Sequence, residues 1–265
     1  MKGINIVVCV KIVPKPEEVK LNLETNTLDR ANASSIINPP DKNAIETAIQ
    51  LKQIYGGQIT VISMGPPFFD GFMKLIISMG VDKAILLSDR AFAGADTYPT
   101  TKTLSQAIKK LGNVDLVICG EESADGGTGN VPPGIAEWLN YSQATYCHEI
   151  DYDASEQRFI VKRSISDGFE IISIPKPAVV SVELNINTPR FPDFSLKKEL
   201  DNNKHKIPIW SATDLDLEPN EIGLSGSFTT VDSLIQAKGL ERKQIQIIGN
   251  IDDIVDQLVD LIINK

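Results

Sequence analysis

Between residues 4 and 139 the chain alternates two apolar patterns, and no other feature of it narrows the possible folds as much. Runs over 4–13, 58–63, 83–87 and 114–119 are aliphatic or β-branched at most positions, as in a strand covered on both faces. Between them, apolar residues recur at helical spacing. The segment INPPDKNAIETAIQLKQIYGG sets Asn38 at an N-cap, Pro39 first in the helix and Asp41 third. Ala44, Ile45, Ala48, Ile49 and Ile54 then share a face, and Gly56 and Gly57 end it. Further helices are expected over 69–79, 100–111 and 131–139, with an edge hairpin over 20–29. Strands alternating with such helices specify an α/β chain with a doubly wound, mostly parallel, Rossmann-like sheet. Ligands of such sheets lie beyond the carboxyl ends of the strands.

From about residue 145 the period becomes two. Runs over 146–152, 158–165 and 169–174, with an Asp167-Gly168 turn, read as an antiparallel extension of the sheet, and 178–184 as one more buried strand. Periodicity lapses over 186–230, which carries Pro189, Pro192, Pro208 and Pro219 and is expected to form an extended C-terminal arm. A last helix over 252–263 gathers Ile254, Val255, Leu258, Val259 and Ile262 on one face, with little to pack on unless another chain supplies the surface. The expected domains are 1–185, the α/β domain with its meander, and 186–265, the arm.

Charge and composition exclude several function classes. Across 265 residues, 26 Lys plus Arg face 35 Asp plus Glu, a formal charge of -9, which disfavours nucleic acid and anionic membranes as partners. No apolar run approaches the roughly 20 residues that span a bilayer, and the N-terminus has no secretory pattern, so a cytoplasmic chain is expected. Cys9, Cys119 and Cys147 have no CxxC spacing and read as buried, reduced thiols, and with only His148 and His205 a metal centre is poorly supplied. No Ser/His/Asp set, Cys/His set or carboxylate pair stands out, so no side chain is assigned a catalytic role.

The most informative stretch is ICGEESADGGTGNVPPGIAEWL, where a strand ends at Gly120 and a helix begins near Val131. Gly126, Gly127 and Gly129 lack a Cβ, so their amides and that of Thr128 can approach an anion, which the helix dipole and free first-turn amides also favour. Ser123, Ala124, Asn130 and Val131 complete the loop. Asp125 would repel a phosphate, so it is read as capping or orienting the loop. The pattern is not GxxxxGK[ST], which argues against a Walker-type site. Three other strand ends reach the same edge: Cys9, Val10 and Lys11; Asn38, as helix cap, ligand or both; and Ser63, Met64 and Gly65. Together they suit an adenosine. In GADTYPTT, Asp96 or Thr97 caps another helix, and the hydroxyls could join a phosphate site.

Taken together, CVK, INPPDKNAIETAIQLK, VISMGPP, AGADTYPTT, SADGGTGNVPP, PRF at 189–191 and GLSGSFTTV at 223–231 resemble the β subunit of electron-transfer flavoproteins along almost the whole chain. The resemblance implies an α-subunit partner and a nucleotide in the strand-end crevice. Two branches differ there: one holds structural AMP beside an acidic DDDC run, the other a second FAD beside DGDT and a later VGP. Gly126 and Thr128 fit the FAD branch, whereas Gly127 and Pro132 depart from it. The FAD branch implies NADH as hydride donor and electron bifurcation to a flavin-dependent dehydrogenase (acyl-CoA, enoyl-CoA or lactate type) and to ferredoxin or flavodoxin. The segment TPRFPDFSLKK matches the family's recognition loop, with Phe194 as its apolar anchor, Phe191 and Leu196 beside it, and Arg190 paired with a carboxylate of the α chain. A universal-stress-type nucleotide-binding module shares the core but has no such arm.

Overall fold

The computed structural model describes residues 3–15, 18, 20–22, 27–29, 34–230 and 245–263. Val231, the last residue of GLSGSFTTV, and 23–26 of the expected hairpin lie outside them. The chain divides into two compact units, 1–232 and 233–265.

The first unit is a nine-stranded sheet with helices on both faces. Its parallel strands are β1 (Ile4–Cys9), β6 (Gly57–Met64), β7 (Lys83–Leu87), β8 (Leu116–Gly120) and β12 (Ala178–Val182). β9 (Ser142–Asp153) runs parallel to β12, and β10 (Arg158–Ile165) and β11 (Gly168–Pro175) extend the sheet as an antiparallel meander. The order is β11-β10-β9-β12-β8-β1-β6-β7, with one further strand beyond β7. Two small ladders lie outside it, β2 (Ile12–Pro14) with β5 (Ser35–Ile37), and the expected hairpin β3 (Lys20–Asn22) with β4 (Thr27–Asp29).

The helices begin where local chemistry starts them. α1 (Pro39–Tyr55) opens with Pro39 and Pro40, whose missing N–H groups cost nothing in a first turn, and ends at Gly56 with φ 72°. α2 (Asp70–Ile77) is shorter than its apolar run because a 3-10 turn over Pro67–Phe69 precedes it and a turn over 78–80, with Met79 N on Ile76 O and Gly80 N on Ile77 O, ends it. α3 (Thr97–Leu111) starts three residues earlier than its periodicity suggests, because Asp96 accepts a hydrogen bond from Tyr98 N. α4 (Val131–Leu139) has the expected bounds. α1 and α2 cover one face through Ile45, Ile49, Met73 and Ile76, packed with Ile6, Val8, Ile59 and Val61. α3 and α4 cover the other through Leu104, Ile108 and Ile135, packed with Val7, Ile62, Val117 and Val179.

Residues 186–230 fold against this unit rather than standing off from it. α5 (Phe194–Asn202) packs beside α2, and β13 (Ile209–Trp210) pairs with β7 as the ninth strand. Periodicity could not show this, because two paired residues are too few to make a pattern. In the second unit, α6 (Ile251–Ile263) leaves Ile251, Val255, Leu258, Val259 and Ile262 exposed. No helix among the described residues is long and apolar enough to cross a membrane.

Candidate functional site

The strand order reverses between β1 and β8: the chain after β1 builds outward through β6 and β7, then returns to place β8 on the other flank. A crevice opens where neighbouring strands send their continuations apart. Val10 and Lys11 leave β1 there, Glu121 to Val131 leave β8, and the first turn of α1 lies between them.

Asp41 ties these parts together. Its Oδ2 accepts from Lys11 N at 2.7 Å, and its Oδ1 accepts from Asn38 Nδ2 at 3.1 Å and Gly120 N at 3.2 Å. Burial pushes its carboxyl up to about 7, against the pull of these donors. A Cβ at Gly120 would lie 2.3 Å from Asp41 Oδ1 and 2.8 Å from Pro40 Cβ, so glycine is required for α1 to seat on β8.

Asn38 occupies the N-cap position, but its side chain makes no cap bond. It reaches instead into the glycine loop, donating to Glu122 O at 2.8 Å and accepting from Ala124 N at 3.0 Å. Of the two roles the sequence left open for it, capping is absent. Lys11 Nζ lies 2.5 Å from Asp125 Oδ1 and 3.3 Å from Ser123 Oγ, so Asp125 is charge-paired and fixes the loop to the end of β1.

The loop's own amides need correction. Gly126 N and Gly127 N both donate to Ser123 O, at 3.2 and 2.8 Å, so neither is free for an anion. Pro132 and Pro133 also remove two first-turn donors from α4, and Gly134 N donates to Asn130 O. Among the described residues, the amides of Thr128, Gly129 and Val131 donate to no partner, and the Asn130 amide reaches Thr128 Oγ1 at 3.4 Å. The unpartnered donors therefore lie one or two residues later than the glycines suggest. Gly127 and Gly129 turn the loop at φ 57° and 61°.

Ser63, Met64 and Gly65 sit on the same edge, one strand away at the end of β6, where Ile62 O accepts from Val10 N at 2.9 Å. Gly65 N is spent on Leu87 O, whereas Ser63 Oγ is buried with no partner among the described residues. Cys9 stands opposite Cys119 across β1 and β8, and both thiols, like Cys147, are buried and free. The Asp96 carboxylate is taken up by the start of α3 and by Thr229. Burial would raise it, but hydrogen bonds from Thr229 and Tyr98 outweigh that and hold it below the usual range. Thr97 lines a shallow groove with Tyr98, Gly134 and Trp138 between α3 and α4.

Two residues at the site escaped the sequence reading. Asp41 was legible only as a first-turn acid, because its partners at 11 and 120 are distant in the chain. Tyr146 projects toward the loop: a Cβ on Gly129 would lie 3.2 Å from its hydroxyl. The three-residue step between buried Ala144 and Cys147 was its only signal, a slip in an otherwise two-residue period.

Arg190, expected to pair with another chain, has its partner within this one. Its Nε lies 2.7 Å from Glu46 Oε2 and its NH2 group 2.9 Å from Glu46 Oε1, with Glu46 only 6% exposed. Asn43 donates to Leu184 O and Asn187 O, and Asn187 donates to Thr47 Oγ1. Asp193 caps α5 and its amide donates to Ser78 O at 2.8 Å. On this base Phe191 is 91% exposed and Phe194 68%, with Leu196 half-buried.

The fold defines a doubly wound α/β protein with a topological switch point between β1 and β8, the place where sheets of this kind bind their ligands. Residues 25–215 match the electron transfer flavoprotein domain. The chain is 42% identical over 258 residues to the electron transfer flavoprotein subunit beta of Thermoanaerobacterium thermosaccharolyticum, covering 97% of this chain and 96% of that one. It is 39% identical over 227 residues to the caffeyl-CoA reductase-Etf complex subunit CarD of Acetobacterium woodii, 85% of each chain. It is 36% identical over 237 residues to the protein FixA of Azotobacter vinelandii, 88% of this chain and 84% of that one. The chain belongs to the electron transfer flavoprotein β-subunit family.

Proposed function

We propose that this chain is the β subunit of a cytoplasmic electron-bifurcating flavoprotein, holding FAD in the β1/β8 crevice and pairing with an α subunit. The observation that carries the reading is the loop itself. Gly126 stands where a second acid would crowd a phosphate, Asp125 is neutralised by Lys11, and the amides of Thr128, Gly129 and Val131 remain as donors. These residues fit a dinucleotide diphosphate.

Bound FAD would supply hydride acceptance from NADH and single-electron transfer toward a partner dehydrogenase and toward ferredoxin or flavodoxin. The chain's own residues position it. Asp41 fixes the separation of the two strand ends, Asn38 and Lys11 hold the loop, and no side chain acts as acid or base. The exposed face of α6 is a surface for the α subunit, and Phe191 and Phe194, with Leu196 beside them, present an apolar contact to a dehydrogenase of acyl-CoA, enoyl-CoA or lactate type. Three buried free thiols suit a reducing compartment.

Purifying the chain with its α subunit and extracting the nucleotides tests the reading. Two FAD per heterodimer are expected. One FAD with one AMP would favour the alternative, a non-bifurcating carrier in which AMP is structural.

A further inference from the structure

We propose that the Tyr146 hydroxyl is a phosphate-binding donor of the crevice, facing the open amides of the glycine loop. The assignment deepens the nucleotide reading and rests on it. Tyr146 has φ 58°, a left-handed conformation that a bulky side chain rarely adopts. The surrounding structure imposes it. β9 slips register against β12 between Val180 and Val182, and against β10 between Lys162 and Arg163, so that Cys147 pairs with both Val182 and Arg163. On one side the buried Ser181 accepts from Tyr146 N through its hydroxyl at 3.1 Å. On the other, Arg163, itself paired with Glu170, donates to Thr145 O at 2.9 Å and to Thr145 Oγ1 at 3.1 Å.

Unbroken alternation from Ala144 would send residue 146 into the core. The bulge gives that place to Cys147 and turns Tyr146 outward, 43% exposed, with its hydroxyl beside Gly129. Among the described residues that hydroxyl has no hydrogen-bond partner, so the strain at 146 serves no internal bond of the ring's tip. It lies at the N-terminal approach to α4, next to Gly129, between the open amides of Thr128 and Val131 in sequence. A phenol and unpartnered peptide donors thus come together within a few residues of the start of α4, a combination that suits a phosphate oxygen.

The test uses the heterodimer stripped of its crevice nucleotide, in wild-type and Tyr146→Phe forms, titrated with FAD, ADP and adenosine. Tyr146→Phe keeps the ring and removes only the hydroxyl. Its affinity for FAD and ADP should fall about ten- to a hundredfold, as expected for a hydrogen bond to a charged group, while adenosine binds unchanged. Unchanged affinity for FAD and ADP would overturn the assignment. An equal loss for all three would also overturn it, since the hydroxyl would then shape the pocket rather than bind phosphate. A wild type that takes up none of them would instead remove the nucleotide reading, and this inference with it.

Discussion

The crevice and the segment over 184–196 are built from the same helix, yet they use its side chains toward opposite ends. In the first turn of α1, Asn38 and Asp41 turn inward to hold the ends of β1 and β8 and the glycine loop, leaving a polar recess lined by backbone. One turn later, Asn43, Glu46 and Thr47 hold residues 184–190, and what they support is a pair of phenylalanines pushed into solvent. Both regions are preorganised by a helix side chain that satisfies a distant segment. The difference lies in what is left over: unspent amides in one case, unspent apolar area in the other.

If that division holds, each region can be damaged without the other. Arg190→Ala should have the largest effect, because it takes the guanidinium from the buried Glu46 carboxylate and leaves it only the neutral donors Gln50 Nε2 and the amide of residue 190. Burial by itself would raise that group, and the Arg190 guanidinium now outweighs it and holds it below the usual range. Since Arg190 is 35% exposed and Glu46 keeps two neutral donors, a cost of about 3 kcal/mol, the low end for a broken buried pair, is expected in thermal unfolding. Nucleotide content should not change, and its loss would break the separation.

Gly120→Ala is the converse. A methyl group driven against Asp41 and Pro40 should cost about 1–3 kcal/mol and release the nucleotide, while the segment around Phe194 keeps its protection from hydrogen exchange. Phe194→Ala should leave both folding and nucleotide content intact, because the ring is exposed. It should slow electron transfer to a cognate dehydrogenase about tenfold or more, through KM, as loss of an interface anchor does. Equal rates would remove Phe194 from the interface.

The smallest effect is a pH slope. The Asp41 pKa of about 7 lies above the ordinary 3.8, so the folded state holds a proton the unfolded chain has lost. The stability this contributes is full at low pH and disappears as pH rises through about 7. Between pH 6 and 8 it amounts to about 1 kcal/mol. Unfolding midpoints measured across that range should decline, and Asp41→Asn should flatten the decline.

Much of the scaffold was legible because its signals are local. Asn38 and the two prolines after it started α1 where the structure starts it, and the apolar stripe of 131–139 set both ends of α4. Glycine spacing likewise marked where the chain turns between β8 and α4. It misjudged which amides were free, because Ser123 O captures two of them in a turn that composition does not reveal. The arm was misread for a related reason: β13 earns its place in the sheet by pairing with β7, some 120 residues earlier, rather than by any pattern of its own.

By itself, then, the sequence determined the alternation of strands and helices, the strand ends that share one edge and the glycine loop between β8 and α4. These follow from contacts between residues a few positions apart, whose spacing is written in the chain. Only the tertiary structure decided that Asp41 sits between Lys11 and Gly120, that Glu46 claims Arg190, and that a register slip swings Tyr146 toward Gly129. Each of those pairings joins segments that sequence separates and the sheet order brings together. A side chain's partner is fixed by where the backbone returns, and no local pattern records that return.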